Sequence, residues 1–276
     1  MTGAREQLAA DLLQAVRRHE IVPVVQPQIA VATGAVVGVE FLSRWRHPEL
    51  GQVPPAVFIP LAEMSDAIHQ LGRLMIRACC RFGASWQKRG TDLDVAVNVA
   101  PSQLATTSFY DALRDEIEES GVDPRRLTLE VTEATEIDDP ATVAARLDAL
   151  RELGIVISID DFGTGHSSAG RAVELHATEL KLDRRLVEAE GGDRVVEAAI
   201  VFAHERGMRT VGEGVETPEQ LTRLRALGCD RAQGYFIAEP VSEDDFERWI
   251  AQRLSSPSKS GAAGAAVDSP SPPTSI

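Results

Sequence analysis

Nine polar residues scattered along the chain could do chemistry together: Gln26, Glu40, Asn98, Glu130, Asp160, Asp161, Lys181, Glu213 and Gln233. Each lies in or at the end of a short apolar run rich in β-branched residues. Gathered in one pocket, the five carboxylates among them would repel one another unless cations compensated. Together with the Asn98 amide they offer oxygen ligands only, which suits hard divalent ions such as Mg²⁺ or Mn²⁺. The ligand count exceeds what a single octahedral ion that keeps some water needs, so two ions are the natural reading. A two-metal site clamps a phosphoryl group and activates a water for in-line displacement. Lys181, set among the acids, could orient that water or accept its proton. One acid at a strand end is more often a loop or cap residue, and a lone lysine is more often an ion-pair partner. It is the recurrence at strand after strand that carries the argument.

The elements that must position these groups follow from the apolar pattern. Strands are expected over Val22–Gln26, Val36–Leu42, Val95–Val99, Leu127–Thr132, Ile155–Asp160, Glu179–Leu182, Arg209–Glu213 and Ala232–Phe236. Helices are expected over Ala4–His19, Ile68–Trp86, Ser108–Ser120, Ala141–Leu153, Arg194–Arg206 and Pro218–Leu227. Gly121, Gly154, Gly207 and Gly228 sit where left-handed helix caps belong, and Thr217-Pro218-Glu219-Gln220 reads as a capped helix start. Short apolar strands alternating with amphipathic helices imply a parallel sheet, and eight of them favour closure into an α/β, TIM-like (β/α)8 barrel. The link containing Thr33-Gly34 is too short for a helical crossover, so the first strand is expected antiparallel to the rest. In such a barrel the C-terminal strand ends surround one mouth, which makes residues dozens of positions apart neighbours. Parity puts Glu40, Leu42 and Arg44 on one face if their strand runs that far, with Phe41 turned to the helix layer.

Three regions are expected: residues 1–19 as a helix packing on the barrel, 20–254 as the barrel, and 255–276 as a disordered Ser, Pro, Gly and Ala tail. The formal net charge of −14 over 276 residues argues against binding to nucleic acid polymers, which needs a basic face. Cys79, Cys80 and Cys229 have no zinc-type spacing and read as buried thiols of a reducing cytoplasm. No export signal, membrane span or attached sensor segment is expected.

From about residue 20 to 245 the chain resembles the EAL phosphodiesterase family. The matching stretches are Gln26-Pro27, Glu40-Phe41-Leu42-Ser43-Arg44-Trp45, Phe58-Ile59-Pro60-Leu61-Ala62-Glu63, Val97-Asn98, Glu130-Val131-Thr132-Glu133, Asp160-Asp161-Phe162-Gly163-Thr164-Gly165, Lys181-Leu182-Asp183, Glu213-Gly214-Val215-Glu216-Thr217 and Gln233-Gly234-Tyr235. The resemblance implies hydrolysis of cyclic di-GMP to linear pGpG with two Mg²⁺ or Mn²⁺ ions, in a homodimer. By it, Glu40, Asn98, Glu130, Asp160, Asp161 and Glu213 would hold metals and Lys181 the attacking water. Arg44 would contact phosphate, and Gln26, Leu42 and Gln233 would lie along the substrate. Glu133 would fasten the loop after Asp161, which in the family links the metal site to dimerisation. The chain departs from the family pattern at Val25, Phe41, Ala100, His166 and Ala169. Those changes leave room for a second reading, a catalytically weak domain that binds cyclic di-GMP as a receptor or docks a protein.

Overall fold

The computed structural model describes residues 2–132, 139–163, 168–189 and 192–255. Among the described residues there are nine strands: β1 (Ile21–Ala30), β2 (Val36–His47), β3 (Gly51–Val53), β4 (Asp94–Asn98), β5 (Leu127–Thr132), β6 (Val156–Phe162), β7 (Glu179–Leu182), β8 (Arg209–Gly212) and β9 (Arg231–Gln233). The helices are α1 (Thr2–Ala15), α2 (Pro55–Glu63), α3 (Ala67–Lys88), α4 (Pro101–Leu104), α5 (Thr107–Ser120), α6 (Pro140–Glu152), α7 (Ser168–Glu174), α8 (Arg184–Glu188), α9 (Asp193–His204), α10 (Pro218–Ala226) and α11 (Glu243–Ser255). The strand order β1-β9-β8-β7-β6-β5-β4-β2, with β1 pairing back to β2, closes a barrel of eight strands, and β3 adds an outer edge on β2. The barrel is parallel except at β1, which runs antiparallel to both β2 and β9. The short turn between β1 and β2 enforces that reversal, as the sequence required.

The side chains outside the barrel form the apolar core. Val25, Val39, Val95, Val131, Ile157, Leu180 and Leu182 are buried against the helices. Phe41 is buried too, its ring packing edge-on against Phe82 of α3 with centroids 5.4 Å apart. That is the helix-layer orientation expected from parity. Fully burying one such ring stabilises the fold by about 1.5–3 kcal/mol. Inside the barrel the picture is polar: Gln28, Thr128, Ser158 and Glu179 are all buried in strands. At the N-terminal strand ends Asp94 is ion-paired with Arg126 (3.1 Å), Arg209 (3.2 Å) and Arg231, and Arg209 also pairs with Glu179. Asp92 also pairs with Arg126, at 2.9 Å, so three acids balance the three arginines. The other end of the barrel is left for chemistry.

Several bounds differ from the sequence reading, for tertiary reasons. β2 runs on to His47 because β1 and β3 both pair with its second half, so Arg44 lies inside a strand. β9 ends at Gln233, where Gly234 turns the chain. A Cβ at Gly234 would lie 2.2 Å from the backbone N and O of Val215, so only glycine admits the approach. Tyr235 and Phe236 therefore leave the sheet and are exposed. The sequence reading missed α2, α4, α7, α8 and α11. Helix α2 carries Pro at its start and a second, Pro60, inside, a composition that reads as a loop. Helix α8 follows β7 directly, in a stretch to which the sequence reading assigned no element. Among the described residues no helix is long and apolar enough to cross a membrane. The tail from residue 256 lies outside the described residues.

Candidate active site

The parallel register brings the polar strand ends together. Glu40 of β2 pairs with Ala96 of β4, so Asn98 stands one pleat further along; Asn98 is opposite Glu130, and Thr132 is opposite Asp160. Lys181 enters from β7, Glu213 follows β8, and Gln233 ends β9. Lys181 is the hub. Its Nζ lies 2.8 Å from Glu213 Oε1, 2.9 Å from Glu130 Oε2, 3.1 Å from Asp160 Oδ1 and 3.3 Å from Glu40 Oε2. The lysine is 1% exposed and Glu130 is 0% exposed, so water contributes almost nothing to screening here. Asn98 Nδ2 donates to Glu40 Oε1 at 2.8 Å, and Gln233 Nε2 donates to Glu40 Oε2 at 2.6 Å.

Four carboxylates against one ammonium leave three negative charges unbalanced. The titration behaviour reports that excess. Burial, reinforced by the Glu40 charge, pushes the Glu130 carboxyl well above its usual range. Burial and the neighbouring Asp160 do the same to Glu213. Asp161 is pushed up to about 6 by burial and by Asp160. Glu40 goes the other way: burial raises it, but the Lys181 ammonium and the Gln233 and Asn98 hydrogen bonds outweigh burial and hold it below its ordinary value. Burial pulls Lys181 down, and Asp160, Glu130, Glu213 and Glu40 together override that and raise it well above the lysine range. Lys181 is therefore a charged donor, and the acids around it call for protons or further cations.

The donor set fits divalent cations. Glu130 Oε1 is buried with no hydrogen-bond partner, an acceptor held ready at the centre of the cluster. Ligand atoms of Asp160, Asp161 and Glu213 all lie within 4.8 Å of one another. Asp161 is one of three non-glycine residues with positive φ (57°) among the described residues, and its N–H donates to Asp160 Oδ1 at 3.0 Å. That conformation costs about 1–2 kcal/mol. It sets the Asp161 carboxylate beside that of Asp160, and backbone strain of this kind gathers at functional sites.

A cleft of about 990 Å³, counting its open mouth, adjoins the cluster. Glu40, Asn98 and Asp160 line one side, Leu42 and Arg44 continue the wall along β2, and Ile59, Ile68, Leu71 and Met75 form an apolar floor. A ligand with an anionic centre and flat apolar ends matches that division. Arg44 spends one hydrogen bond on its neighbour, Nη1 to the Ser43 carbonyl at 3.0 Å. Gln26 and Gln233 do not line the cleft: they are buried, joined to each other at 3.0 Å, Gln26 also donates to the Ala238 carbonyl at 3.1 Å, and Gln233 meets the cleft wall only through Glu40. Glu133 and His166 lie outside the described residues, whereas Ala169 is exposed on α7. Two participants were not singled out in the sequence. Gln28 donates to Gln233 Oε1 at 2.9 Å, and its position two residues after Gln26 was the available signal. Asp183 neighbours Asp161 and caps α8 by accepting from Arg185 N.

A family model described as EAL domain matches residues 9–240. The cyclic di-GMP phosphodiesterase PA2567 of Pseudomonas aeruginosa is 38% identical over 248 residues, covering 88% of this chain and 42% of that protein. The bifunctional diguanylate cyclase/cyclic di-GMP phosphodiesterase MucR of the same organism is 37% identical over 240 residues, covering 85% of this chain and 35% of MucR. The chain thus spans well under half the length of these relatives. A solved structure of the PaMucR phosphodiesterase with c-di-GMP superposes with a TM-score of 0.81 at 36% identity, covering 87% of this chain and 99% of that one.

Proposed function

This chain belongs to the EAL domain family, and on that premise we propose that it hydrolyses cyclic di-GMP to linear 5′-pGpG. The observation that carries the reading is the buried lysine with four carboxylates within 3.3 Å. Glu40, Asn98, Glu130 and Asp160 would hold two Mg²⁺ or Mn²⁺ ions, with Asp161 and Glu213 completing the set. Such ions supply Lewis acidity toward a phosphoryl oxygen and a bound water that ionises near neutral pH. Lys181, kept charged by its neighbours, donates to the attacking water and holds its lone pair toward phosphorus. It is an orienting group in this state, since an ammonium has no lone pair to take a proton. Arg44 meets the non-bridging phosphate oxygens, and Leu42 lies along the base. Gln26 and Gln233 support the Glu40 wall that the substrate follows. The water gives up one proton to solvent, its oxygen bonds to phosphorus, the bond from phosphorus to the 3′ oxygen breaks, and the leaving 3′ oxygen takes a proton from solvent to become a hydroxyl. Glu133 is read as the residue that fastens the loop after Asp161.

The same reading takes the working form as a homodimer in the cytoplasm. The three cysteines are free and buried, in keeping with a reducing compartment.

The test is product analysis by anion-exchange chromatography after incubation with cyclic di-GMP and Mg²⁺ or Mn²⁺. Linear pGpG is expected from the wild type and not from Glu40→Ala. Stoichiometric binding of the nucleotide with no product at high protein concentration would replace the enzyme by the receptor. Sedimentation velocity of the same preparation reads the dimer.

A further inference from the structure

Gln28, Gln233, Gln26 and Glu40 are linked by hydrogen bonds across the seam where the antiparallel β1 closes the barrel. Gln28 and Gln233 are direct partners in the β1–β9 register, and Gln26 and Glu40 are partners in the β1–β2 register. Gln26 and Gln28, two residues apart, share the interior face of β1. Gln28 is 3% exposed and Gln233 and Glu40 are each 4% exposed, so the orientation of each amide is decided by protein partners.

An amide has a donor end and an acceptor end, and its neighbours choose which way it points. Gln28 Nε2 donates to Gln233 Oε1 at 2.9 Å. With its oxygen held there, Gln233 turns its NH₂ to the opposite side, where it donates to Glu40 Oε2 at 2.6 Å and to Gln26 Oε1 at 3.0 Å. The flipped amide would set Gln233 Oε1 against the Glu40 carboxylate and aim its NH₂ at the Gln28 donor. Both contacts would then be between like ends. We propose that Gln28 is a positioning residue for the metal site: it fixes the amide orientation of Gln233 and, through Gln233, the aim of the Glu40 carboxylate. This inference rests on Glu40 being a metal ligand, as read above. Gln28 itself touches neither metal nor substrate.

The experiment compares wild type, Gln28→Met, Gln233→Met and the double variant. Mn²⁺ affinity by calorimetry, kcat and KM for cyclic di-GMP, and the Gln233 side-chain NH₂ signals in ¹H–¹⁵N spectra are measured on each. Losing an outer hydrogen-bond partner typically weakens a metal site about 10-fold. Gln28→Met should therefore lower Mn²⁺ affinity and kcat together by about 10-fold. It should also move the Gln233 NH₂ signals and produce no further loss once Gln233 is already methionine. Unchanged Mn²⁺ affinity, or an equal loss in the Gln233→Met background, overturns the proposal, and a lowered melting temperature alone would mark Gln28 as merely structural. Should the variants not fold, the wild type decides: protected, shifted Gln233 NH₂ protons are expected, and freely exchanging ones overturn it. A wild type that neither binds Mn²⁺ nor opens cyclic di-GMP would defeat the functional reading and with it the metal role of Gln28. Protected Gln233 NH₂ protons in that protein would show the orientation surviving separately.

Discussion

Lys181 is the residue on which the site turns. Its ammonium is bound by Glu40, Glu130, Asp160 and Glu213, and it is the cation those four acids share. Two consequences separate its roles. As an orienting group for water it acts on the reaction rather than on substrate affinity. Lys181→Ala should lower kcat by about 10²–10⁴-fold while KM for cyclic di-GMP stays within a few-fold, measured by initial rates. As an electrostatic partner it also supports the metal-free fold, since removing one member of a buried ion network costs about 3–5 kcal/mol. That second loss should shrink when Mg²⁺ is added, and denaturant unfolding with and without Mg²⁺ checks it. An equal rise in KM and fall in kcat would move Lys181 from the water to the substrate.

At the scale of the element, β2 shows how one strand serves two environments. Glu40 faces the interior and Phe41 the helices, as alternation on a strand requires, and a slip of one residue would exchange them. Phe41 joins Phe82, Trp86 and Phe246 in an aromatic cluster that ties β2 to α3 and α11. Its departure from the family pattern is therefore a matter of packing. Phe41→Ala should cost about 3–5 kcal/mol in denaturant unfolding, with Mn²⁺ affinity unchanged by calorimetry. A loss of metal binding at full stability would contradict the orientation. The antiparallel β1 has a second consequence, because it closes the barrel with the strand that carries Gln26 and Gln28.

At the scale of the whole molecule, the interior of the barrel has two charged ends of different character. At the N-terminal strand ends three arginines meet Asp92, Asp94 and Glu179, and the charges are matched. At the C-terminal ends the acids exceed Lys181, so that end has charge to offer a cation. Ligands that bind only the folded state stabilise it, by about 2.7 kcal/mol at a hundred times the dissociation constant. At about 2–4 °C per kcal/mol for a chain of this size, saturating Mg²⁺ should raise the melting temperature by roughly 5–10 °C. EDTA should remove the rise, and Glu40→Ala should not show it. A rise that survives Glu40→Ala would place the stabilising ion elsewhere on an acidic protein of net charge −14.

Local patterns in the sequence sufficed for the strands, their alternation, the left-handed caps at Gly121, Gly154, Gly207 and Gly228, and the capped start at Thr217. These depend on sterics and hydrogen bonding within a few residues, so they can be read along the chain. The family match rests on short motifs that carry the polar strand ends in order. What could not be read is what depends on partners brought from afar. Helix α2 forms around an internal proline because Phe58, Leu61 and Ala62 find a core to bury in. β2 reaches His47 because β1 and β3 pair with it. Gln28 lay beyond the expected end of the first strand, and only closure of β1 on β9 supplied Gln233 opposite it. The gathering of acids around Lys181 was expected from the strand ends, but which acid is raised and which is lowered belongs to the same class. Each acid is ordinary in the sequence, and its perturbation arises when four strands deliver carboxylates to one buried ammonium, where low solvent access makes their mutual repulsion count.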